Sequence, residues 1–405
     1  MSDEAIMQQP QEPEYSKKRV AAMIIAIFTC MILTGLSSYK LLPMQSAIMD
    51  FFQIGESQYG VLNTAASWVS VVCAIPMGFL VRKLRCNFSV IIGYLVAIAG
   101  IFVQAMSTSF TVFVLGRMLE GAGAGFAGLV TGALILNLVD RKHMSFWSCL
   151  MVMATVVPQV IMTKGGTTLM VNSGISFQNL FLIVCGIYGV AILIWIALVP
   201  FSVRIHGVAS AKKATKEQTR KVYKNKDAWF VAIALIFYNA GSMTFTAYII
   251  KFLTTKGLTQ MQAADYYSLT TIIGLVSMII FGILSDKFKT RRKIAIVSFI
   301  AAAVAFVALG LVPGNMIWIY VCLWGTLPRS IAGFTNATSA ELAEVPSDIP
   351  IVNSVRNTIT QIGSIIMGLL MGVLIQYAGY MVTTFIIAGG MLVGAVMWFL
   401  AKKII

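Results

Sequence analysis

A dozen or so apolar runs, each about twenty residues long, divide this chain and leave a lipid bilayer as the place for it to fold. The first follows Lys17, Lys18 and Arg19 directly. Later ones fall at roughly 57–81, 88–107, 110–138, 144–163 and 177–200, then at 228–252, 263–284, 293–312, 315–337, 349–375 and 380–401. At 1.5 Å per residue, about twenty helical residues cross the ~30 Å hydrocarbon core. None of the runs alternates polar with apolar residues, so they read as helices and not as strands of a barrel. The chain is 58% hydrophobic and 11% charged over 405 residues, where a soluble domain carries about 25% charged residues. The expected fold class is an all-α membrane protein with twelve transmembrane helices.

A net charge of +15 raises the question of nucleic-acid binding. The distribution of the bases answers it, because most of them sit in alternate short connections between the runs. That is the pattern of cytoplasmic loops, and it places both termini in the cytoplasm. Lys40, Arg117, Lys164, Lys251, Lys256, Arg329 and Arg356 fall outside it and need another explanation. Six cysteines show no pairing pattern and read as small buried hydrophobes. With only two histidines, His143 and His206, both in loops, neither a metal site nor a cofactor is expected.

The chain reads as four parts. Residues 1–16 form a polar tail without a signal peptide, and 17–200 hold six spans. Residues 201–226 form a basic linker suited to anionic headgroups, and 227–405 hold six more spans. Gly78-Phe79-Leu80-Val81-Arg82-Lys83 ends the second span, and Gly282-Ile283-Leu284-Ser285-Asp286-Lys287 ends the eighth. This repeat implies two pseudo-symmetric halves related by an axis along the membrane normal.

Within the fourth span lies Leu115-Gly116-Arg117-Met118-Leu119-Glu120-Gly121-Ala122-Gly123-Ala124-Gly125-Phe126. Arg117 and Glu120 are three residues apart and share one side of the helix. Charge near the bilayer centre costs about 2.5–3.5 kcal/mol per group, so the pair implies a partner or a cavity. Gly121, Gly125, Gly128 and Gly132 recur every three or four residues and invite a close-packed neighbour. Two readings stand: a polar pathway through the bundle, or a pair that neutralises itself in a packing interface.

At this point the sequence resembles the major facilitator superfamily of transporters over nearly its whole length. Gly282, Leu284, Asp286, Lys287, Arg291 and Arg292 resemble the family's loop signature, Gly-x-Leu-x-Asp-Arg-x-Gly-Arg-Arg. Gly78, Leu80 and Lys83 match it in the first half, where Arg82 takes the place of the usual Asp. Arg117 with Gly121 and Gly123 is similar to the fourth-helix signature, Arg-x-x-x-Gly-x-Gly. The run Arg117–Gly123 looks like the cyanate, nitrate and organic-anion carrier branches. Around Pro158 the glycines typical of drug/proton antiporters are missing. The resemblance implies a cavity lined by the first, fourth, seventh and tenth spans. It also implies a gating loop carrying Gly78, Arg82, Gly282, Asp286, Arg291 and Arg292.

Arg329, beside Pro328 and well inside the tenth span, has no acid within a helical turn. It is the leading candidate for binding an anion. Lys40 either snorkels outward or, if the helix runs on through Pro43, faces the cavity. Glu120 is the sole carboxylate well inside a span, either a proton-coupling group or a fixed partner for Arg117. Arg356 is expected near the cytoplasmic edge, pairing with Glu341, Glu344 or Asp348. Tyr39, Tyr238, Asn239 and Trp324 are candidates to complete the site, with Asn63, Trp68, Gln159, Tyr248, Tyr266 and Tyr267 beside them. Each of these also suits packing or an interface belt. The expected function is secondary transport of a small anion, an organic carboxylate, by proton symport or anion exchange. The protein would be a monomer in a prokaryotic plasma membrane. A proton-coupled exporter of amphipathic compounds is the alternative. No nucleophile–base pair, phosphate loop or metal spacing points to an enzyme.

Overall fold

The computed structural model describes residues 16–83, 86–138, 144–201, 225–288, 290–342, 349–402 and 404. The expected tail, apart from Ser16, lies outside the described residues. So do most of the expected linker, both histidines, Glu344 and Asp348.

Every regular element among the described residues is helical, as bilayer-spanning backbone requires when no water is available to bond it. The first half begins with α1 (Lys17–Tyr39), short α2 (Gln45–Phe52), α3 (Glu56–Lys83), α4 (Cys86–Met106) and α5 (Phe110–Leu138). It ends with α6 (Met144–Val160), α7 (Thr167–Val171) and α8 (Phe177–Leu198). A π-helical turn, Ile161–Gly166, joins α6 to α7, so the fifth pass runs further than the apolar run that announces it. In the second half α9 (Lys226–Asn239) passes through a π-helical turn, Ala240–Thr244, and a 3-10 turn, Phe245–Tyr248, into α10 (Ile249–Thr255). Then come α11 (Gln260–Phe288), α12 (Arg291–Leu311), the broken pair α13 (Trp318–Gly325) and α14 (Leu327–Leu342), and α15 (Ile349–Leu400). Straight, the 52 residues of α15 would reach roughly 78 Å, more than twice the hydrocarbon thickness. Gly379 prevents that: its φ of 79° and ψ of 168° are open almost to glycine alone. The helix therefore reverses into the last two of twelve passes. Among the described residues, seven segments are long and apolar enough to cross a membrane on length and composition alone.

The outward surface is apolar. Val72, Leu193, Ile283 and Phe399 are each 63–75% exposed, as suits side chains that meet lipid tails. Inside, aromatic rings fill each half. Phe113 packs edge-on against Phe177 and Phe181 in the first half, and Phe306 against Phe245 and Trp324 in the second. Such pairs contribute about 0.5–1.5 kcal/mol each beyond their buried area.

Glycines bring the fourth pass close to its neighbours, though not all of those expected. A Cβ on Gly121 would lie 2.5 Å from the Ala66 Cα of α3. One on Gly123 would lie 2.3 Å from the Gly93 carbonyl oxygen of α4, and one on Gly116 would lie 2.9 Å from the Gly100 oxygen. Gly128, by contrast, has nothing nearer than 3.9 Å. Among the described residues, the two halves meet closely on the face away from the termini. There a Cβ on Gly372 would lie 2.6 Å from the Glu56 carbonyl oxygen, and one on Gly60 would lie 3.1 Å from that of Gly368.

Candidate functional site

A cavity of about 530 Å³ opens between the halves, within the ~300–1,000 Å³ usual for small-molecule sites. The first, fourth, seventh and tenth passes reach it as expected. The second, fifth and eleventh do so as well, through Asn63, Thr155 and Arg356 among others. Breaks in regular helix expose backbone and side chains here. Tyr238, Asn239, Ser242, Met243, Thr244 and Thr246 all line the cavity. A regular helix would show it only every third or fourth residue, and the π-helical and 3-10 turns remove that periodicity. The tenth pass breaks at Thr326 (φ −89°, ψ −113°). Pro328 then falls in the first turn of α14, where its missing N–H costs nothing.

Arg329 follows in that first turn and lines the cavity. Its Nε and Nη2 are shielded from solvent and have no hydrogen-bond partner, and it makes no ion pair among the described residues. Tyr39, Tyr238, Tyr267 and Tyr320 lie around it. Its guanidinium carbon lies 5.8 Å from the Trp324 ring centre, within range of a cation–π attraction. Gly274 of α11 makes room for the stem, because a Cβ there would lie 2.7 Å from the Arg329 Cγ. Nothing in the sequence around Gly274 signals this contact.

Across the cavity, Glu120 gathers a closed set of donors. Lys40 Nζ reaches Oε2 at 2.5 Å, Arg117 Nη1 at 2.9 Å and Gln104 Nε2 at 2.9 Å, while the Ser37 hydroxyl donates to Oε1 at 2.7 Å. Arg117 also donates to the Ser37 carbonyl at 2.9 Å. Neither expectation for Lys40 describes it. The helix stops at Tyr39, and the turn that follows carries Lys40 inward, where it is 0% exposed and lies 4.6 Å from the Phe181 ring centre. Arg117 lines the cavity, whereas Lys40 and Glu120 lie behind its wall.

Among the other candidates, Tyr39, Tyr238 and Asn239 line the cavity, and Asn239 donates to the Ser364 hydroxyl at 3.1 Å. Trp324 lies behind the wall, stacked on Tyr238 at 6.1 Å. Gln159 donates to the Tyr267 hydroxyl, which shares a 2.7 Å hydrogen bond with Thr246. Arg356 departs from the cytoplasmic-edge expectation. It is buried and lines the cavity, about 10 Å along the helix from Ile349, with Nη2 donating to Asn357 at 3.1 Å. Glu341 pairs instead with Arg291. In the expected gating loop, Arg292 donates to the Trp398 and Phe399 carbonyls within its own half, and Gly282 faces open space. The surroundings of Gly78 and the side chains of Arg82 and Asp286 lie outside what the structure describes.

Among the described residues, polar contacts between the halves lie toward the face away from the termini. Glu56 accepts from Lys251 at 2.7 Å and from the Tyr380 hydroxyl at 2.8 Å. Lys164 pairs with Asp265 at 3.0 Å, and Gln260 donates to the Pro43 carbonyl at 3.0 Å. The role of Glu56 is not legible from its place at a span end.

Solved structures with this architecture include a bacterial homolog to the human lysosomal transporter Spinster, inward-facing and occupied. Its TM-score is 0.76 at 16% identity, covering 96% of this chain and 98% of that one. The nucleoside transporter NupG gives 0.74 at 12% identity, covering 95% and 99%. A curated relative, the aspyridones efflux protein apdF of Emericella nidulans, is 24% identical over 223 residues. The match spans 54% of this chain and 45% of that protein's length, so less than half of the relative is covered. Residues 27–347 match the family described as Major Facilitator Superfamily. On that match, this multi-pass membrane protein with a cavity between two six-pass halves belongs to the Major Facilitator Superfamily.

Proposed function

We propose that this chain is a secondary active carrier for a small anion, an organic carboxylate, working by alternating access. The observation that carries the reading is the cavity wall. Arg117, Arg329 and Arg356 reach it, and none of the described residues lining it is acidic. Positive potential focused in a low-dielectric cavity draws anions in. A guanidinium then offers a planar fork that matches a carboxylate. In this reading Arg329 is the principal anion ligand, Arg117 the second, and Tyr39, Tyr238 and Asn239 supply hydrogen bonds. Lys40 and Trp324 act from behind the wall. The four donors around Glu120 support a fixed counter-charge over a proton carrier, which favours anion exchange above proton symport. Basic connections on the terminal face support both termini being cytoplasmic; in this reading the protein is a monomer in a prokaryotic plasma membrane.

The competing reading, export of amphipathic compounds, is favoured by the curated relative named for efflux and by the aromatic ring stack behind Tyr238. A thermal-shift screen of purified protein separates the two, with small carboxylates, inorganic oxyanions and lipophilic cations at fixed ionic strength and Arg329→Gln run alongside. A ligand that binds only the folded state raises Tm by mass action. Stabilisation by an anion class that is lost in Arg329→Gln supports the anion carrier. Stabilisation by lipophilic cations alone, unchanged in the variant, overturns it.

A further inference from the structure

Building on the anion-carrier reading, we infer that the transported anion is two-headed, with one anionic group held by Arg117 of the first half and the other by Arg329 of the second. The argument starts from charge. Lys40 and Arg117 both pair with Glu120, two cations against one carboxylate, so the cluster keeps one positive charge in excess. Lys40 is sealed in, while Arg117 lines the cavity, so Arg117 presents that excess to a ligand. The hydrogen bonds Arg117 makes run through Nη1, and its buried Nε has no partner. In the second half Arg329 is a whole positive charge without an ion pair among the described residues.

Arg117 and Arg329 therefore bring one unbalanced cation from each half to the same cavity wall, where Arg356 of the second half adds a further positive charge. Leaving buried charge unbalanced is strongly unfavourable. A monoanion satisfies one half and leaves the other as it was. A ligand with carboxylates at two ends satisfies both and ties together the parts that must rock past each other. The space permits it, since a sphere of the observed volume is ~10 Å across, enough for two carboxylates on a short chain. Asn239, Thr360 and Gln361 line the cavity with neutral polar groups suited to the middle of such a ligand.

The test measures Kd in detergent at constant ionic strength for three sets of ligands. The first is the dicarboxylates succinate, glutarate and adipate. The second is butyrate and hexanoate as matched monocarboxylates, and the third is inorganic phosphate as a dianion with a single head. Wild type, Arg117→Gln and Arg329→Gln are compared. Arg117→Gln leaves Lys40 and Glu120 as a neutral pair, so its fold should survive. At least one dicarboxylate should bind wild type at least tenfold tighter than the monocarboxylates. Either variant should bring it to the monocarboxylate level while leaving the monocarboxylates within about threefold. Equal binding of mono- and dicarboxylates, with both weakened by Arg329→Gln, overturns the two-headed ligand and leaves the anion carrier standing. Phosphate binding above every dicarboxylate overturns it in favour of a single-headed dianion. If no anion binds, or Arg329→Gln changes nothing, both readings fall. Should either variant prove unstable, the wild-type ligand series alone decides.

Discussion

Glu120 and Arg329 are both charges within the bundle, and the two halves treat them in opposite ways. Around Glu120 the first half supplies two cations, an amide and a hydroxyl, all buried and contributed by three different helices and a turn. Around Arg329 the second half supplies tyrosines, an indole face and a space kept open by Gly274, but no carboxylate among the described residues. The first arrangement satisfies its carboxylate without a ligand, and the one positive charge left over is carried to the cavity wall by Arg117. In the second, the charge is held in position and its balance is left to something else. In the anion-carrier reading the two have different uses: a counter-charge fixed within one half, and a charge left for a substrate to balance.

The largest expected effect comes from breaking the first arrangement. Glu120→Gln removes the carboxylate and leaves Lys40 and Arg117 facing each other at 0% and 2% exposure. Removing one partner from a buried ion pair costs about 3–5 kcal/mol. The expected outcome is a large fall in apparent Tm in detergent, with poor expression. Arg329→Gln should leave the ligand-free Tm unchanged or raise it, because it deletes an unbalanced charge. If Glu120→Gln unfolds no more readily than Arg329→Gln, the contrast between the halves is wrong.

The positions of the passes were legible because a bilayer forces helices of one length, and the apolar runs give that length directly. The breaks were less so. Pro328 announced the one before Arg329. The π-helical turn at Ala240–Thr244 has neither proline nor an unusual run of glycines to mark it, and its Gly241 sits against Met391 and Phe306 of other helices. Among site residues, Arg117, Arg329, Tyr39, Tyr238 and Asn239 could be placed on the cavity because position along a span fixes depth. Depth alone misled for Lys40, where a turn after Tyr39 redirects the side chain inward. It misled again for Arg356, whose nearness to a span end says nothing of the direction it faces. The Gly274–Arg329 contact joins residues on different helices, which no local pattern encodes.

That contact gives the intermediate effect. Gly274→Ala would place a methyl 2.7 Å from the Arg329 Cγ and 3.2 Å from its Cβ. The arginine stem must shift, at about 1–3 kcal/mol for overpacking. Because the guanidinium moves with the stem, anion affinity should fall by about tenfold, the equivalent of ~1.4 kcal/mol. The Glu120 cluster, on the other half, is untouched. Titration calorimetry with the stabilising anion reads the first change. Arg117→Gln on the Gly274→Ala background should have its usual effect on Tm, since the two sites share no partner. Coupling between them beyond about 0.5 kcal/mol would contradict their independence.

The smallest effect concerns Glu56, a second carboxylate with several donors, but one that joins the halves where Glu120 braces a single half. Its side chain is 12% exposed and that of Lys251 is 29% exposed, so solvent reaches the pair. Partly exposed pairs contribute about 0.2–1 kcal/mol. Glu56→Gln keeps an oxygen for the Tyr380 hydroxyl and loses the attraction to Lys251. The fold should therefore survive with its Tm nearly unchanged, in contrast to Glu120→Gln. What changes is the balance between conformers closed and open on the face away from the termini. A bias of 0.5–1 kcal/mol is about a two- to fivefold change in their ratio. Spin labels at Asp50 and Thr259, both exposed on that face and on opposite halves, read it as a larger long-distance population in a cysteine-depleted background. A distance distribution identical to wild type would mean that the glycine contacts of α3 with α15 hold this face closed without help from the ion pair. A Tm loss as large as that of Glu120→Gln would mean instead that Glu56 braces the fold, and the distinction between a carboxylate that stiffens one half and one that latches two would collapse.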